Sequence, residues 1–537
     1  MKKVYRSILL ALVTVWCVAC FDDKGNYDYG TINRFTVKLI PEVEENYWVV
    51  RPATDTTEQL FVVEVEQTLS KDTSNLEYTW CITKNADDEE NKEVDTTHYS
   101  SHNFIFPKNE DTAYNVRLVV KDKNTDVCVY TDFKVATRKP FYYAWAVLHG
   151  NEGNRSLGMV DFYEESNFHD FWKITPDAYE SLHGVKRPGL NNAECIAFTA
   201  GLGIGPDLLY ITGQDSVFSI EPYEMEMVTV QKEMIGDRWV HFTDLDSDTG
   251  ESWMMRVTLL GEDGEYWYGD GWGYVYRAVM NSGIPHSSDY NITAVYPAVG
   301  ESINVNLLWD EGNHAFYCHV PPVSPLYDPG DRNTEGDGTM VVAFEGEAAE
   351  VLKSADLASK ELVWLGAGVR TFEGGYVGPA MALMHDVTED TYSFIHFAFN
   401  DSGSAKVEVE NNISLTGDIK LAVTSAFANQ FFYLSEGKLH LFNDISKSDR
   451  ILQEFELKAG EKPVMMKFRL RCNPAGDKEE YAFNRILAIA VDTPEGKGKI
   501  YEIFFTTGAD IENVAEYEGF DKIVDMEYMP RTASINI

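Results

Sequence analysis

The stretch Tyr266-Trp-Tyr-Gly-Asp-Gly-Trp-Gly-Tyr-Val-Tyr-Arg-Ala278 decides the fold, because the same pattern recurs elsewhere in the chain. The other copies are Leu208-Leu-Tyr-Ile-Thr-Gly-Gln-Asp-Ser-Val-Phe-Ser-Ile220 and Phe431-Phe-Tyr-Leu-Ser-Glu-Gly-Lys-Leu-His-Leu-Phe-Asn443. Each copy predicts two short strands around a turn that is rich in glycine or acid. Tyr210 and Tyr268 are 58 residues apart, and Tyr433 lies 165 residues further on, close to three more such steps. A period of about 40–60 residues with several strands per period is typical of β-propeller blades.

Further turn-and-strand positions predict the number of blades. They fall near Gly158, Asp215, Gly273, Gly338, His396, Gly437 and Gly498. Seven positions predict seven blades within residues 139–537, and the weaker ones at Gly338 and His396 leave six or eight open. The last stretch, Lys522–Met529, is predicted to pair with a strand near Ala144–Leu148, which would close the ring and remove both sheet edges. Glu347–Leu357 predicts one short helix in an insertion.

Residues 31–138 predict a separate small all-β domain. Leu76-Glu-Tyr-Thr-Trp-Cys-Ile82 and Tyr114-Asn-Val-Arg-Leu-Val-Val120 alternate apolar and polar residues, and a closing strand carries Phe133. Lys139-Pro140 then marks the domain boundary. Trp80 and Phe133 face inward in this alternation, so Cys81 and Cys128 face outward. Two strand spacings, roughly 9–10 Å, separate their strands, which exceeds the reach of a disulfide. The pattern therefore predicts two free thiols.

Net charge restricts the classes of partner. The 537-residue chain carries a formal charge of −41. A field of this sign repels phosphate backbones, so nucleic acid is excluded as a partner on electrostatic grounds.

The N-terminus predicts a lipid anchor. Lys2, Lys3 and Arg6 precede the short apolar run Ile8–Val15, which ends in Cys17-Val-Ala-Cys20. This is typical of a signal peptide, here residues 1–19. The ending is similar to a bacterial lipobox, with Cys20 as the lipidated first residue and residues 20–30 as a tether. Ordinary signal cleavage with an incidental Cys20 is the alternative.

One acidic turn predicts a metal site. Asp244, Asp246 and Asp248 alternate in Asp244-Leu-Asp-Ser-Asp-Thr-Gly-Glu251 and could present three oxygens to Ca²⁺. Met255 stands where an EF-hand loop needs its glutamate, so a solvated turn is the alternative reading.

Aromatic residues and one long loop predict a ligand-binding surface. Trp267 and Trp272 lie in the dense aromatic stretch quoted first, and flat aromatic faces stack on sugar rings and peptide planes. Val320–Arg332 is a proline-rich insertion, and Tyr327 and Arg332 are its predicted ligand contacts. The alternative for the tryptophans is packing in the core. The alternative for the insertion is a disordered loop without a binding role. We find no Gly-x-Ser-x-Gly or His-Glu-x-x-His motif in the sequence, and no catalytic residue can be assigned.

The strand carrying Trp80, the strand of Tyr114 and the closing Phe-Lys-Val strand resemble a PKD-type immunoglobulin-like sandwich. With the lipobox, the acidic residues after Cys20 and the degenerate propeller, the layout resembles the PKD-like family lipoproteins of gut Bacteroidetes. The resemblance implies an all-β protein at the outer membrane that faces the cell exterior. It also implies capture of a glycan or peptide beside SusC-like transporters and SusD-like binding proteins. A propeller glycoside hydrolase or lyase, and a structural adaptor of the transporter, remain alternative functions.

Overall fold

The computed structural model confirms an all-β chain. It describes residues 33–40, 47–50, 56–69, 71–83, 93–97, 100–107, 112–137, 140–141, 143–162, 171–187, 189–199, 207–213, 216–231, 239–244, 257–261, 264, 266–269, 275–277, 279–280, 290–300, 303–319, 340–370, 372–373, 376–400, 404–425, 430–469 and 485–529. Contacts divide the chain into two compact units, Met1–Arg138 and Lys139–Ile537. Within the described residues, no helix has the length and hydropathy needed to cross a membrane.

The first unit is a two-sheet sandwich. Its strands are β1 (Phe35–Ile40), β2 (Tyr47–Val50), β3 (Thr56–Gln67), β4 (Leu76–Thr83), β5 (Glu93–Thr97), β6 (Ser101–Pro107), β7 (Thr112–Asp122) and β8 (Cys128–Thr137). One sheet has the order β1-β3-β6 and the other β2-β8-β7-β4-β5. Alternate residues of β4 are buried, so Trp80 and its neighbours pack with Phe61 and Phe133 in one core. The predicted sandwich is confirmed.

The predicted strand order around the two cysteines is also confirmed. Strand β7 lies between β4 and β8, with Cys81 opposite Arg117 and Cys128 opposite Lys121. Both cysteines are free thiols, and Cys128 is exposed. An intervening strand therefore keeps the two sulfur atoms from forming a disulfide.

The second unit is a ring of seven sheets, which confirms the predicted propeller. Blade 1 holds β9 (Ala144–His149), β10 (Ser156–Phe162), β11 (Phe171–Thr175) and the last strand of the chain, β37 (Ile523–Met529). Blade 2 holds β12 (Cys195–Thr199), β13 (Leu208–Gly213), β14 (Ser216–Glu221) and β15 (Glu226–Gln231). Blade 3 holds β16 (Trp239–Asp244), β17 (Val257–Gly261), β18 (Tyr266–Gly269) and β19 (Val275–Arg277).

The remaining four blades complete the ring. Blade 4 holds β20 (Val279–Met280), β21 (Ile292–Gly300), β22 (Ile303–Asp310), β23 (Ala315–His319) and β24 (Met340–Ala343). Blade 5 holds β25 (Lys360–Ala367), β26 (Val377–Asp386), β27 (Thr391–Phe399) and β28 (Ala405–Ile413). Blade 6 holds β29 (Ile419–Thr424), β30 (Gln430–Ser435), β31 (Lys438–Asn443) and β32 (Ser448–Glu456). Blade 7 holds β33 (Lys462–Phe468), β34 (Ile486–Asp492), β35 (Lys497–Phe505) and β36 (Ile511–Asp521).

Two α-helices of the described residues lie in connections between blades. Helix α1 (Ala178–His183) precedes blade 2, and Asp177 caps its first turn by accepting a hydrogen bond from the Glu180 amide. Helix α2 (Gly346–Ser354) precedes blade 5 and agrees with the predicted helix in the insertion. Ala348 and Leu352 of α2 are buried in the cluster shared by blades 4 and 5, so the helix seals that interface.

Burial within each blade explains its sequence pattern. Every residue of β9 and of β30 is buried, because neighbouring blades cover both faces of these middle strands. Strands buried on both faces need continuous apolar runs rather than alternation. The outer strand β28 instead alternates charged and apolar residues. The three copies quoted first are therefore not equivalent: those in blades 2 and 6 form the second and third strands, whereas Tyr266–Ala278 spans the third and fourth.

The last strand closes the ring as predicted. Strand β37 pairs antiparallel with β9, with Met526 opposite Val147 and Met529 opposite Ala144. The innermost strands are β37, β12, β16, β21, β25, β29 and β33, and each contacts the next around the ring. Blade 1 thus combines the first strands of the unit with its last one, which pairs edges that an open ring would leave free.

Candidate functional site

One side of the ring collects the connections between first and second strands and between third and fourth strands. Antiparallel neighbours reverse direction, so both kinds of connection emerge at the same end of each blade. We call this side the loop face. It receives the connections 245–256 in blade 3, 320–339 in blade 4 and 469–485 in blade 7. On the opposite side the hairpin between the second and third strands is short, as at 436–437 in blade 6.

The structure describes the backbone of two of the binding residues predicted from sequence. Asp244 is the last residue of β16 and Trp267 lies in β18, although the side chains of both are outside the described residues. Outside them entirely are Cys20, Asp246, Asp248, Trp272, Tyr327 and Arg332. The strands flanking 245–256, 270–274 and 320–339 all end at the loop face of blades 3 and 4. The calcium site and the aromatic ligand-binding residues stay predictions, because the side chains concerned lie outside the described residues.

A charged group between blades 5 and 6 is described in full. It comprises Arg370, His396, Glu410, Asp444 and Lys447, and we call it the blade 5–6 cluster. Arg370 follows β25 at the loop face, His396 lies in β27, and Glu410 lies in β28. Asp444 and Lys447 lie in the turn between β31 and β32. Five positions spread over 78 residues of sequence therefore meet at one blade interface.

Ion pairs hold this cluster together. Arg370 donates through Nε to Asp444 Oδ2 at 2.7 Å and through Nη2 to Asp444 Oδ1 at 3.0 Å. The same Nη2 donates to Glu410 Oε2. Lys447 Nζ lies 2.7 Å from both Glu410 Oε2 and Asp444 Oδ1. Burial would raise the pKa of Asp444, but hydrogen bonds from Arg370 and Lys447 outweigh it and hold that pKa below its ordinary value.

His396 is the unusual member of the cluster. Its side chain is 1% exposed, and neither ring nitrogen has a hydrogen-bond partner among the described residues. Nε2 lies 4.0 Å from Glu410 Oε2, beyond hydrogen-bond distance. Burial first, and then the positive charge of Arg370, lowers the pKa of His396 to about 4. The imidazole is therefore neutral at physiological pH and has a lone pair available.

Sequence reasoning identified His396 as a repeat position and missed this cluster. The missed signal was local: His396 stands in Phe394-Ile-His-Phe-Ala-Phe399, where every neighbour is apolar and buried. A histidine in such a strand marks a special environment. Its partners could not be found in the same way, because they belong to other strands and to another blade.

A second charged group lies on the innermost strands. Lys467 of β33 lies 2.6 Å from Glu527 Oε2 and 3.7 Å from Asp525 Oδ1, both on β37. Asp525 also accepts a hydrogen bond from the Ile196 amide of β12 at 2.9 Å. Burial raises the pKa of Glu527, and the charge of Lys467 opposes this shift. Strands from blades 7, 1 and 2 are thus joined by polar contacts near the ring axis.

A pocket of about 520 Å³ lies in blade 7, on the side opposite the loop face. The Nζ atom of Lys499 lies there within 3.3 Å of oxygens of Glu461, Glu516 and Glu518. Burial would lower the pKa of Lys499, but these hydrogen bonds raise it above its ordinary value. The charge on Lys499 is therefore already paired inside the pocket.

Comparison with known proteins identifies a family for the N-terminal part of the chain. Residues 20–189 match the PKD-like family. The match covers the sandwich and continues through β9, β10 and β11 of blade 1. No curated protein matches the chain.

Solved structures with a similar backbone come from several organisms. One is a quinonprotein alcohol dehydrogenase-like protein of Bacteroides thetaiotaomicron, at 10% identity and a TM-score of 0.40, covering 89% of this chain and 95% of the other. A second is a putative 6-phosphogluconolactonase of Bacteroides fragilis, at 12% identity and a TM-score of 0.40, covering 72% and 98%. A third is the apocarotenoid oxygenase of Synechocystis, at 8% identity and a TM-score of 0.40, covering 72% and 92%.

The sandwich has the predicted immunoglobulin-like layout, and the family match begins at Cys20, the residue at which the mature chain is predicted to start. Residues 20–189 are therefore similar to the PKD-like family, and the seven described sheets of the second unit form a β-propeller.

Proposed function

We propose that the protein is a surface-exposed, outer-membrane lipoprotein that binds a polymeric or oligomeric nutrient, a glycan or a peptide. In this proposal it acts as an accessory to a SusC/SusD-like importer, held at the membrane by a lipid on Cys20. The observation that carries the proposal is the loop face. Three connections with predicted binding residues, 245–256, 270–274 and 320–339, arise at that face from two neighbouring blades. Binding residues are often placed in loops on a rigid scaffold in this way.

The paired state of three propeller carboxylates supports binding over catalysis. Glu410 and Asp444 are held by Arg370 and Lys447, and Glu527 is held by Lys467. A hydrolase of the two-carboxylate type needs one carboxyl group free to donate a proton and another free to act as base or nucleophile. In the described part of the propeller, these carboxylates are instead committed to cations.

Membrane attachment is tested by one substitution with a neighbouring control. We expect Cys20→Ala to move the protein from the membrane to the soluble fraction, because the lipid would be its anchor. Cys17→Leu changes the residue three positions before Cys20 to the one usual in a lipobox, so this variant should stay in the membrane fraction. Equal membrane fractionation of the Cys20→Ala protein and the unmodified protein would contradict the anchor.

Ligand binding is tested on the loop face with a matched aromatic control. Binding of a panel of oligosaccharides and oligopeptides would be measured by calorimetry. We expect Trp272→Ala and Tyr327→Ala each to weaken binding about tenfold or more, about 1.4 kcal/mol per tenfold step. Tyr130→Ala changes an aromatic residue that is 66% exposed in the sandwich and should leave the affinity unchanged. An affinity that depends on Tyr130 but on neither loop-face residue would overturn the assignment.

Association with the importer has its own readout. Chemical cross-linking in the intact outer membrane, followed by purification of this protein, should recover SusC-like and SusD-like partners. Recovery of those partners without any measurable ligand affinity would instead support the structural adaptor.

A propeller hydrolase or lyase is the second candidate, and one observation favours it. Asp525 and Glu527 lie two residues apart on an innermost strand, and burial raises the pKa of Glu527 toward that of a proton donor. Glu527→Gln distinguishes the two functions. In an enzyme this change abolishes turnover of the bound ligand and preserves binding, whereas for a binder the unmodified protein already shows no turnover.

A further inference from the structure

We propose that the blade 5–6 cluster binds a divalent transition-metal cation of the zinc type, with His396, Glu410 and Asp444 as its ligands. This site differs in residues, blade and donor set from the calcium site predicted at Asp244, Asp246 and Asp248. It does not depend on the nutrient-binding function.

The donor atoms are close enough to share one ion. One ligand atom from each of His396, Glu410 and Asp444 can be chosen so that all three lie within 4.8 Å of one another. One imidazole nitrogen with two carboxylate oxygens suits Zn²⁺ and similar ions, whereas Ca²⁺ prefers oxygen ligands alone. Tetrahedral zinc with bonds of about 2.0–2.2 Å holds its ligand atoms about 3.4 Å apart. The 4.0 Å between His396 Nε2 and Glu410 Oε2 is longer than this, so the two side chains would move closer together when the ion binds.

The state of His396 is an independent indication of a missing partner. A buried polar side chain is normally hydrogen-bonded, and one without a partner indicates an ion or a water at that point. His396 is 1% exposed, and both of its nitrogens lack a hydrogen-bond partner among the described residues. Its Nε2 points toward the carboxylate of Glu410 at a distance too long for a hydrogen bond. An ion bound between these two groups would give His396 Nε2 the partner that it lacks.

Two cations compete with the ion for the same oxygens. Arg370 and Lys447 neutralise Glu410 and Asp444, so an incoming ion must displace at least one of them. Lys447 is the easier to displace, because its side chain is 43% exposed and stands in a turn. Arg370 has a further carboxylate nearby, since Glu408 Oε2 lies 3.9 Å from its Nη1. The site therefore has a built-in competitor, and removal of that competitor should strengthen metal binding.

Because Lys447 competes with the ion, removing Lys447 and removing His396 should change zinc affinity in opposite directions. The full chain, solubilised in detergent and freed of metal with a chelating resin, would be titrated calorimetrically with ZnCl₂. We expect Lys447→Asn to bind zinc about tenfold more tightly than the unmodified protein. Asparagine tolerates the left-handed backbone at this position, where φ is 52°. We expect His396→Ala to lose the same one-to-one site, both alone and combined with Lys447→Asn.

Control variants keep the result interpretable. His385→Ala removes another histidine of blade 5, whose Nε2 lies 3.0 Å from Asp390, and should leave zinc binding unchanged. Glu410→Gln provides a second loss-of-site variant if His396→Ala fails to fold, and circular dichroism would establish folding of each protein. Two results would overturn the proposal: no one-to-one zinc binding by the Lys447→Asn protein, or binding that survives both His396→Ala and Glu410→Gln.

Discussion

Asp122 is the residue that organises one end of the sandwich. Its carboxylate accepts hydrogen bonds from the Asn75 side chain at 2.8 Å, from the Asn124 amide at 2.9 Å and from Thr125 Oγ1 at 2.9 Å. A further bond comes from the Asn33 side chain at 3.2 Å. Since all of these partners donate to the charged form, they lower the pKa of Asp122 to about 2. One carboxylate thus joins β7, the turn that follows it and the chain segments before β1 and β4.

The lowered pKa fixes the direction of a pH effect. Asp122 contributes stability when ionised, so its contribution is complete above the ordinary aspartate pKa of 3.8 and disappears as the pH falls toward about 2. We expect the protection of residues 112–137 against hydrogen exchange, measured by mass spectrometry and corrected for the intrinsic effect of pH on exchange, to fall over that interval. Asp122→Asn should exchange faster already at pH 6 and depend less on acid, because an amide group cannot accept all of these bonds.

A nearby aspartate provides the control for this effect. Asp126 lies in the same turn and pairs with Lys121, but its side chain is 81% exposed. Asp126→Asn should keep the exchange rates and the acid response of the unmodified protein. If both variants behave alike, the hydrogen bonds to Asp122 do not stabilise the sandwich.

Strand β37 is the element on which the ring depends. It pairs with β9 along its length, and its side chains reach the blades on both sides: Asp525 accepts from the Ile196 amide of blade 2, and Glu527 binds Lys467 of blade 7. A closing strand held only by its own sheet would resist separation of neighbouring blades less well. These cross-blade contacts make β37 part of three blades at once.

The cross-blade contact of Asp525 can be measured as stability. Asp525→Ala leaves the buried Ile196 amide without its acceptor and removes a partner of Lys467, so we expect the free energy of unfolding to fall by about 1–3 kcal/mol. Asp418→Ala removes an aspartate whose side chain is 73% exposed and should change it by less than about 0.5 kcal/mol. Urea denaturation followed by circular dichroism would measure both. Equal midpoints for the two variants would show that Asp525 does not help to hold the ring.

At the scale of the whole molecule, the two units have separate cores. The sandwich core is built from residues between Phe61 and Phe133, with Phe35 and Val37 packed against it, and ring closure involves residues from Ala144 to Met529. We expect a chain of residues 139–537 to fold and unfold cooperatively on its own. A chain of residues 139–522, which lacks β37, should lose that cooperativity, because the edge of blade 1 at β9 would be unpaired. Thermal scans by circular dichroism would compare the two truncated chains.

Much of the fold could be predicted because it repeats. Alternation in β4 and continuous burial in β30 follow directly from the apolar pattern, and the pairing of β37 with β9 follows from the need to cover free edges. The position of Tyr266–Ala278 within its blade could not be predicted, since a third-and-fourth-strand hairpin has the same local pattern as a second-and-third one. The blade 5–6 cluster could not be predicted from the sequence for a related reason. Local pattern identifies a strand, whereas the contact of His396 with a turn of the next blade depends on how blades stack.

The position of β37 also determines when blade 1 can be completed during synthesis of the chain. A ribosome that has made residues 144–175 has supplied three strands of blade 1, yet the fourth is made only after 523. The edge of blade 1 at β9 therefore stays unpaired while the other six blades are synthesised. Pairings between such distant residues are slow to form, and unpaired edges invite association with other chains. If the protein is exported as its N-terminus predicts, blade 1 can be completed only after the final residues have crossed the membrane. A chain that stays unfolded until then avoids exposing the unpaired edge of blade 1.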